Sequence, residues 1–412
     1  MHHFQYRDGK LHAEELGVRQ LAEQYGTPLY IYSAATLRRH FKAFDSAFKG
    51  LDHMTCYSVK ANSNVSLLRL LAQQGAGMDI VSGGELYRAL KAGVTPEKIV
   101  YSGVGKKADE IREALEAGIL MFNVESMAEL KRINTIAKEM GKVARISFRI
   151  NPDVDPQTHP YISTGMKKNK FGLDIEHSLK AYEMARDMNA VEPVGMDCHI
   201  GSQLTSIEPF LEALDKLIAF YNRLADMGVA IKYLDLGGGL GIQYNEEEPP
   251  HPEAFGKALT EKLKDLPLTV ILEPGRVIAG NAGIMVTEVV YTKQTPSKNF
   301  LIVDAAMNDL VRPALYDSYH RIAEVEEHGR DSVEVDIVGP ICESSDFLAR
   351  DRELPALEQG ELLAVFSAGA YGFTMSSNYN SRRRACELLV DGDKATVARK
   401  RETYEDLVEG EI

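Results

Sequence analysis

The sequence predicts an α/β region joined to an all-β one: a parallel (β/α)8, TIM-like barrel set within a discontinuous β domain. Three observations carry this expectation. Eight short apolar segments alternate with helical patterns between residues 54 and 274, as parallel strands linked by crossover helices do. Beyond about residue 280 strand-like segments follow one another without helical spacers. The chemically distinctive residues of the first region fall at its strand ends, where such barrels place their sites.

The opening FQYRDGKLHA reads as a hairpin turning at Asp8-Gly9. A helix follows over about 13–25, and Gly26-Thr27-Pro28 breaks into the extended LYIYS. Strands are then expected at MTCYSVK (54–60), GMDIVS (77–82), KIVYSG (98–103), ILMFN (119–123), ARISFRI (144–150), PVGMDCHI (193–200), KYLDLGG (232–238) and LTVILEP (268–274). Intervening stretches such as SNVSLLRLLAQQG and SMAELKRINTIAKEMG place apolar residues at i, i+3, i+4 and i+7. A doubly wound open sheet would give the same alternation. The interruption NPDVDPQTHPYISTGMKKNKFG (151–172) is too long for a plain connection and reads as a functional loop over the barrel mouth, able to act as a lid.

After residue 280 the segments GIMVTEVVYTK, NFLIVDAA, SVEVDIVG, ELLAVFSAG and the pair CELLV and KATVAR about Asp391-Gly392-Asp393 read as strands of a sandwich or Greek-key barrel. The N-terminal hairpin is expected to join them. The barrel domain is therefore placed at 27–280 and the β domain at 1–26 with 281–412.

Composition narrows the partners. The 412 residues are 44% hydrophobic and 26% charged, with a formal net charge of −13, so no positive stripe offers itself to nucleic acid or an anionic membrane. Arg382-Arg383-Arg384 reads as a solvated or ion-paired face. Four scattered cysteines, Cys56, Cys198, Cys342 and Cys386, point to a reducing, cytoplasmic compartment. No signal-peptide core and no membrane-length apolar stretch is present in the sequence. Metal-ligand spacing of the HExxH or clustered Cys/His kind is absent as well.

Lys60 ends the first expected barrel strand, Asp79 lies in the second, Arg149 closes the fifth and His199 the sixth. Gly237-Gly238-Gly239 follow the seventh, and Glu273-Pro274-Gly275-Arg276 close the eighth. Singly each is weak. A strand-end lysine is more often solvated, and His199 would by default be a hydrogen-bonded core histidine. GGGLG is not the dinucleotide fingerprint, because Ile242 stands where its last glycine belongs, and GVGKK (103–107) lacks the Walker spacing. Jointly they suit one cofactor. Glycines after strands seven and eight lie where barrels hold phosphate, and Arg276 adds charge nearby. A phosphate site and a lysine in one mouth imply pyridoxal 5'-phosphate held as a Schiff base.

Six segments extend this reading: YSVKAN (57–62), HIGSQ (199–203), DLGGGLG (235–241), EPGR (273–276), CESSD (342–346) and AYGFTMSSNYNSR (370–382). In this order, over nearly the whole chain, they resemble the alanine-racemase-like, fold-type III PLP-dependent decarboxylases. HPYISTGMKKNKFG (159–172) and DAAMNDLVRPALY (304–316) look like the branch of that family acting on meso-diaminopimelate. The resemblance implies that Lys60 binds the cofactor, that His199 stacks on its pyridine ring, and that Ser202, Gly238, Gly239, Gly275 and Arg276 lie on the phosphate side. Tyr371 resembles a tyrosine at the cofactor, with Asp79 and Arg149 behind it. Glu273 resembles the carboxylate facing the pyridine nitrogen, which favours decarboxylation where the family's racemases carry arginine. Cys342 resembles the proton donor and Glu343 a substrate-binding carboxylate, both reaching the site of a homodimer partner. Arg276, Arg312 and Tyr316 resemble the group gripping a distal carboxylate, a match for a zwitterionic substrate head. Arg312 would otherwise pair with Asp309 or Asp317. Related decarboxylases of carboxynorspermidine, ornithine or arginine, and a non-catalytic PLP-binding regulator, are the competing readings.

Overall fold

The computed structural model describes residues 2–155 and 169–412. Its contacts divide the chain into two compact units, one of residues 41–242 and 248–277, the other of residues 1–40, 243–247 and 278–412.

The N-terminal residues form a small antiparallel sheet of β1 (Phe4–Arg7), β2 (Lys10–Ala13) and β3 (Leu16–Gly17). Asp8 and Gly9, with φ of 49° and 71°, supply the left-handed pair that a two-residue hairpin turn needs. The segment LYIYS is β4 (Leu29–Ser33), which the sequence reading places at the start of the barrel domain. β4 lies in the sheet of the second unit, buried at every position and paired with β13 and β19 introduced below. A strand covered on both faces shows no alternation, so its sequence alone does not tell which sheet it joins.

The first unit is a closed parallel barrel of β5 (His53–Ser58), β6 (Gly77–Ile80), β7 (Ile99–Tyr101), β8 (Met121–Val124), β9 (Ala144–Arg149), β10 (Val191–Asp197), β11 (Tyr233–Asp235) and β12 (Thr269–Leu272), with β12 closing on β5. Closure excludes the doubly wound sheet. Cys56, Val100, Leu120, Met121, Val194 and Ile271 fill part of its interior. The crossover helices are capped as their sequences suggest. Ser82 and Ser126 accept from the backbone N–H groups of Glu85 and Glu129, both at 3.2 Å, and those glutamates accept back from Val81 and Glu125 at 2.8 and 2.9 Å. β10 slips register between Pro193 and Gly195. Proline has no N–H to give the ladder, and the Gly195 carbonyl accepts from the Tyr182 hydroxyl at 2.7 Å.

The second unit is built on β4, β13 (Gly283–Gln294), β14 (Asn299–Val303), β15 (Ile322–Glu324), β16 (Ser332–Val338), β17 (Phe347–Pro355), β18 (Leu362–Val365), β19 (Cys386–Asp391) and β20 (Lys394–Arg399). They run in the order β17-β16-β14-β13-β4-β19-β20, with β18 also pairing β13 and β15 pairing β18. Its core gathers Leu29, Ile31, Ile284, Val286, Ala364, Leu388 and Val390. Two short helices, Arg312–Tyr316 and Tyr404–Leu407, interrupt what the sequence suggested was purely strand. The expected lid, 151–172, falls mostly on residues 156–168, outside the described residues. Among the described residues no helix is long and apolar enough to cross a membrane, and no cluster of His, Cys, Asp and Glu could hold a metal.

Candidate active site

The barrel strands deliver a set of polar side chains to their C-terminal ends. β5 stops at Ser58, and Lys60 sits in the single turn Val59–Ala61 that follows. Its Nζ donates to Oδ2 of Asp79, which is fully buried in β6 and also accepts from Ser58 Oγ at 2.7 Å. Ser58 Oγ lies 3.0 Å from the Glu273 carbonyl oxygen as well. Asp79 Oδ1 meets no hydrogen-bond partner among the described residues. A buried carboxylate needs a counter-charge, and Lys60 is placed to supply it.

Glu273, directly after β12, is 4% exposed. Its Oε1 accepts from Ser102 Oγ at 3.3 Å. Burial, and then the negative charges of Asp235 and Asp79, push its pKa well above the carboxylate range. Asp235 at the end of β11 is pushed up to about 6, first by burial. Its Oδ1 accepts from Gly237 N–H at 3.0 Å and its Oδ2 from Asn123 Nδ2 at 3.1 Å. Asp197, opposite Asp235 in the β10–β11 register, is raised by the same burial and by Asp235 itself. Several buried acids share the strand ends, and each raises the pKa of its neighbours.

His199 follows β10 and is held neutral. Loss of water around the ring, then the charges of Arg149 and Lys60, depress its pKa well below the ordinary value. Gly238 N–H donates to its Nδ1 at 3.2 Å, which orients the imidazole. The guanidinium of Arg149, the last residue of β9, reaches Glu125 at 3.0 Å and the His199 carbonyl at 3.3 Å. The glycine loop is shaped by contact. A Cβ on Gly238 would stand 2.1 Å from the Glu273 carbonyl oxygen, and one on Gly275 would meet Ala61 at 2.9 Å. Gly239, at φ +123°, needs a glycine for its backbone alone. Arg276 is buried and donates to Ser202 Oγ at 3.0 Å. Gly238→Ala is therefore expected to shift Glu273 and cost about 1–3 kcal/mol, whereas Gly105→Ala, with open space around it, leaves the melting temperature unchanged; thermal melts of both variants check this.

Lys60, Asp79, Arg149, His199, Ser202, Gly238, Gly239, Glu273, Gly275 and Arg276 thus lie in one connected network. They fit a phosphorylated pyridine aldehyde: an amine, a flat imidazole ring, a buried carboxyl of raised pKa, and the N–H groups of Gly239 and Gly275, which donate to no other described residue. The sequence reading missed Asp197, Asp235 and Glu125. Aspartates ending two adjacent apolar strands, GMD and YLD, were the available signal.

The second unit carries the remaining candidates. Arg312 opens the short helix and Tyr316 ends it. Arg312 is buried, lies 4.7 Å over the Tyr244 ring, donates to Ser318 Oγ at 3.3 Å, and has its Nη1 3.1 Å from His320 Nε2. His320 Nδ1 lies 2.8 Å from the Phe366 carbonyl oxygen, which makes Nδ1 the donor and leaves Nε2 to accept. Asp309, one alternative partner, accepts from Ala306 N–H at 3.1 Å, and burial lifts its pKa to about 7. Tyr371 has a φ of 56°, a left-handed backbone that non-glycine residues rarely adopt and that collects at functional sites. Cys342 is exposed while Cys56, Cys198 and Cys386 are buried. Beside it Glu343 accepts from Ser345 Oγ at 2.5 Å and Tyr379 Oη at 2.7 Å, bonds that hold its pKa below the ordinary value.

The family model for the pyridoxal-binding domain of pyridoxal-dependent decarboxylases matches residues 34–280. The diaminopimelate decarboxylase of Haemophilus influenzae is 54% identical over 409 residues, covering 99% of this chain and 98% of its own. The structure of diaminopimelate decarboxylase from Helicobacter pylori complexed with L-lysine matches with a TM-score of 0.92 at 45% identity, covering 95% of this chain and 98% of that one. The diaminopimelate decarboxylase from M. jannaschii, in co-complex with L-lysine, matches with a TM-score of 0.94 at 42% identity, covering 99% and 97%.

Proposed function

Since the chain belongs to the pyridoxal-dependent decarboxylases, and within them to the diaminopimelate decarboxylases, we propose that it converts meso-2,6-diaminopimelate to L-lysine and carbon dioxide, the last step of lysine biosynthesis, in the cytoplasm. One observation supports the reaction class: the Glu273 carboxyl is buried at the same strand ends as Lys60 and His199, where burial and the charges of Asp235 and Asp79 raise its pKa and burial lowers that of His199. Pyridoxal phosphate, when bound, supplies the electron-accepting ring that takes up the pair left by departing carbon dioxide.

The protein's own groups do the rest. Lys60 would hold the cofactor through its Nζ, with Asp79 keeping that amine in place. Glu273 would supply the proton for the ring nitrogen, and His199 would pack against the ring. Gly239, Gly275, Ser202 and Arg276 hold the phosphate, with Gly238 acting through His199. Arg149 fixes the His199 backbone, and Tyr371 lies at the cofactor. Arg312, Tyr316 and Arg276 bind the distal carboxylate, and Glu343 binds the distal ammonium. Cys342 delivers a proton to the reacting carbon. Cys342 and Glu343 come from the partner of a homodimer, a reading supported by the exposure of Cys342 in the single chain.

Carbon dioxide release measured across meso-diaminopimelate, ornithine, arginine, lysine and carboxynorspermidine tests the substrate; fastest turnover of any but the first would overturn it. Arg312→Ala is expected to raise KM for diaminopimelate by about 10²-fold, the scale of a lost charge-paired contact, with cofactor affinity unchanged. Equal effects on both would remove Arg312 from the substrate site.

A further inference from the structure

We infer that Tyr379 and Asn380 are positioning residues, one for Glu343 and the other for Cys342, so that a single turn aims both the amine-binding carboxylate and the proton donor. The inference rests on the roles proposed above for those two residues.

The loop Ile341–Asp346 is tied down from several sides. Asp346 accepts from Ile341 N–H and from Met307 N–H, both at 2.7 Å. Between these anchors, Cys342 N–H donates to Asn380 Oδ1 at 2.9 Å, and Tyr379 Oη donates to Glu343 Oε2 at 2.7 Å. Ser345 Oγ takes the other glutamate oxygen. A free glutamate sweeps three rotors; one held at both oxygens has one direction. With its backbone pinned, Cys342 retains only the rotation about its own Cα–Cβ bond.

The turn that provides these contacts is itself unusual. Asn380 and Ser381 both have φ of 54°, two successive non-glycine residues in the left-handed region. Such a conformation persists where surroundings over-determine it. Here Asn378 Nδ2 donates to Glu402 Oε2 at 2.6 Å, and Arg384 pairs with the same glutamate. Tyr379 is 46% exposed, so burying its ring is not its purpose. The hydroxyl is the part engaged, through its bond to Glu343 Oε2.

The test uses the holoenzyme and separates KM from kcat. Tyr379→Phe keeps the ring and is expected to raise KM for diaminopimelate about tenfold, the scale of one hydrogen bond to a charged group, with kcat within about twofold. In a Glu343→Gln background the same change adds nothing, because its target is gone. Asn380→Ala shows the opposite split, kcat falling about tenfold at unchanged KM, and Asn380→Asp, which keeps the acceptor, restores most of it. A Tyr379→Phe effect that persists in full beside Glu343→Gln, or variants that move KM and kcat together, would overturn the inference while leaving Glu343 in the substrate site. An unchanged KM for Glu343→Gln itself would instead overturn the role of Glu343, and the inference with it.

Discussion

Lys60→Ala is expected to leave a folded protein without the visible absorption of lysine-bound pyridoxal phosphate and with decarboxylation reduced by about 10³-fold or more. Covalent capture fixes cofactor and substrate in one geometry, and effective molarities of that order are lost when the tether goes. The variant also removes the charge facing Asp79, which is fully buried and, among the described residues, retains only Ser58 as a hydrogen-bond donor. Stability is therefore expected to fall by about 1–3 kcal/mol, the cost of an under-satisfied buried polar group. Lys60→Arg separates the two effects. It keeps a positive charge near Asp79 and so most of the melting temperature, yet it offers no amine for the aldehyde and stays inactive. A visible band in Lys60→Ala matching that of the wild type would show that the cofactor is held elsewhere. Equal melting of the alanine and arginine variants would show that the Asp79 contact carries no stability.

The barrel was legible because its strands are short apolar runs separated by amphipathic helices, and local signals of that kind agree with the fold they sit in. The sheet that β4 joins and the strand β17 were not legible, each for a physical reason. β4 is buried on both sides, so its sequence could serve either unit. β17 carries Arg350, Asp351, Arg352 and Glu353 in succession; charges at neighbouring positions hide the alternation that marks a strand. In the site, Lys60, His199 and Glu273 were visible as strand-end residues, and the motif resemblance gave them roles. Asp197 and Asp235 were not. Each is one aspartate in an apolar run, and only the parallel register that places them side by side reveals a shared, desolvated cluster. His320 and Tyr244 around Arg312 were equally hidden, because the contacts join residues 68 and 8 positions from it through folding alone. Residues that act on a ligand leave a chemical signature in sequence, whereas residues that tune their protonation leave a spatial one.

That cluster gives Glu273→Gln its expected result. Glutamine keeps the shape and the contact from Ser102 but has no proton to hold at the pyridine nitrogen. Without that proton the ring is a weak electron sink, and kcat is expected to fall about 10²–10⁴-fold, the range for losing a positioned acid, while pyridoxal phosphate still binds through Lys60. Stability moves the other way. The folded-state pKa of Glu273 is raised well above its ordinary 4.5, so the unfolded chain releases this proton first as pH rises. The wild-type fold is accordingly penalised from about pH 4.5 upward until the buried carboxyl itself ionises, beyond which the penalty is constant. Glutamine carries no such penalty. In cofactor-free protein the melting temperature of Glu273→Gln should match the wild type near pH 4 and exceed it by a margin that widens toward neutral pH. Asp235 and Asp197 sharpen the contrast, because each proton retained on Glu273 spares the mouth a further negative charge. Chemical denaturation of both proteins between pH 4 and 8 decides the matter: a difference that stays flat across that range would mean Glu273 is ionised in the fold, and the proton assigned to it would have to lie on Asp235 or Asp197 instead.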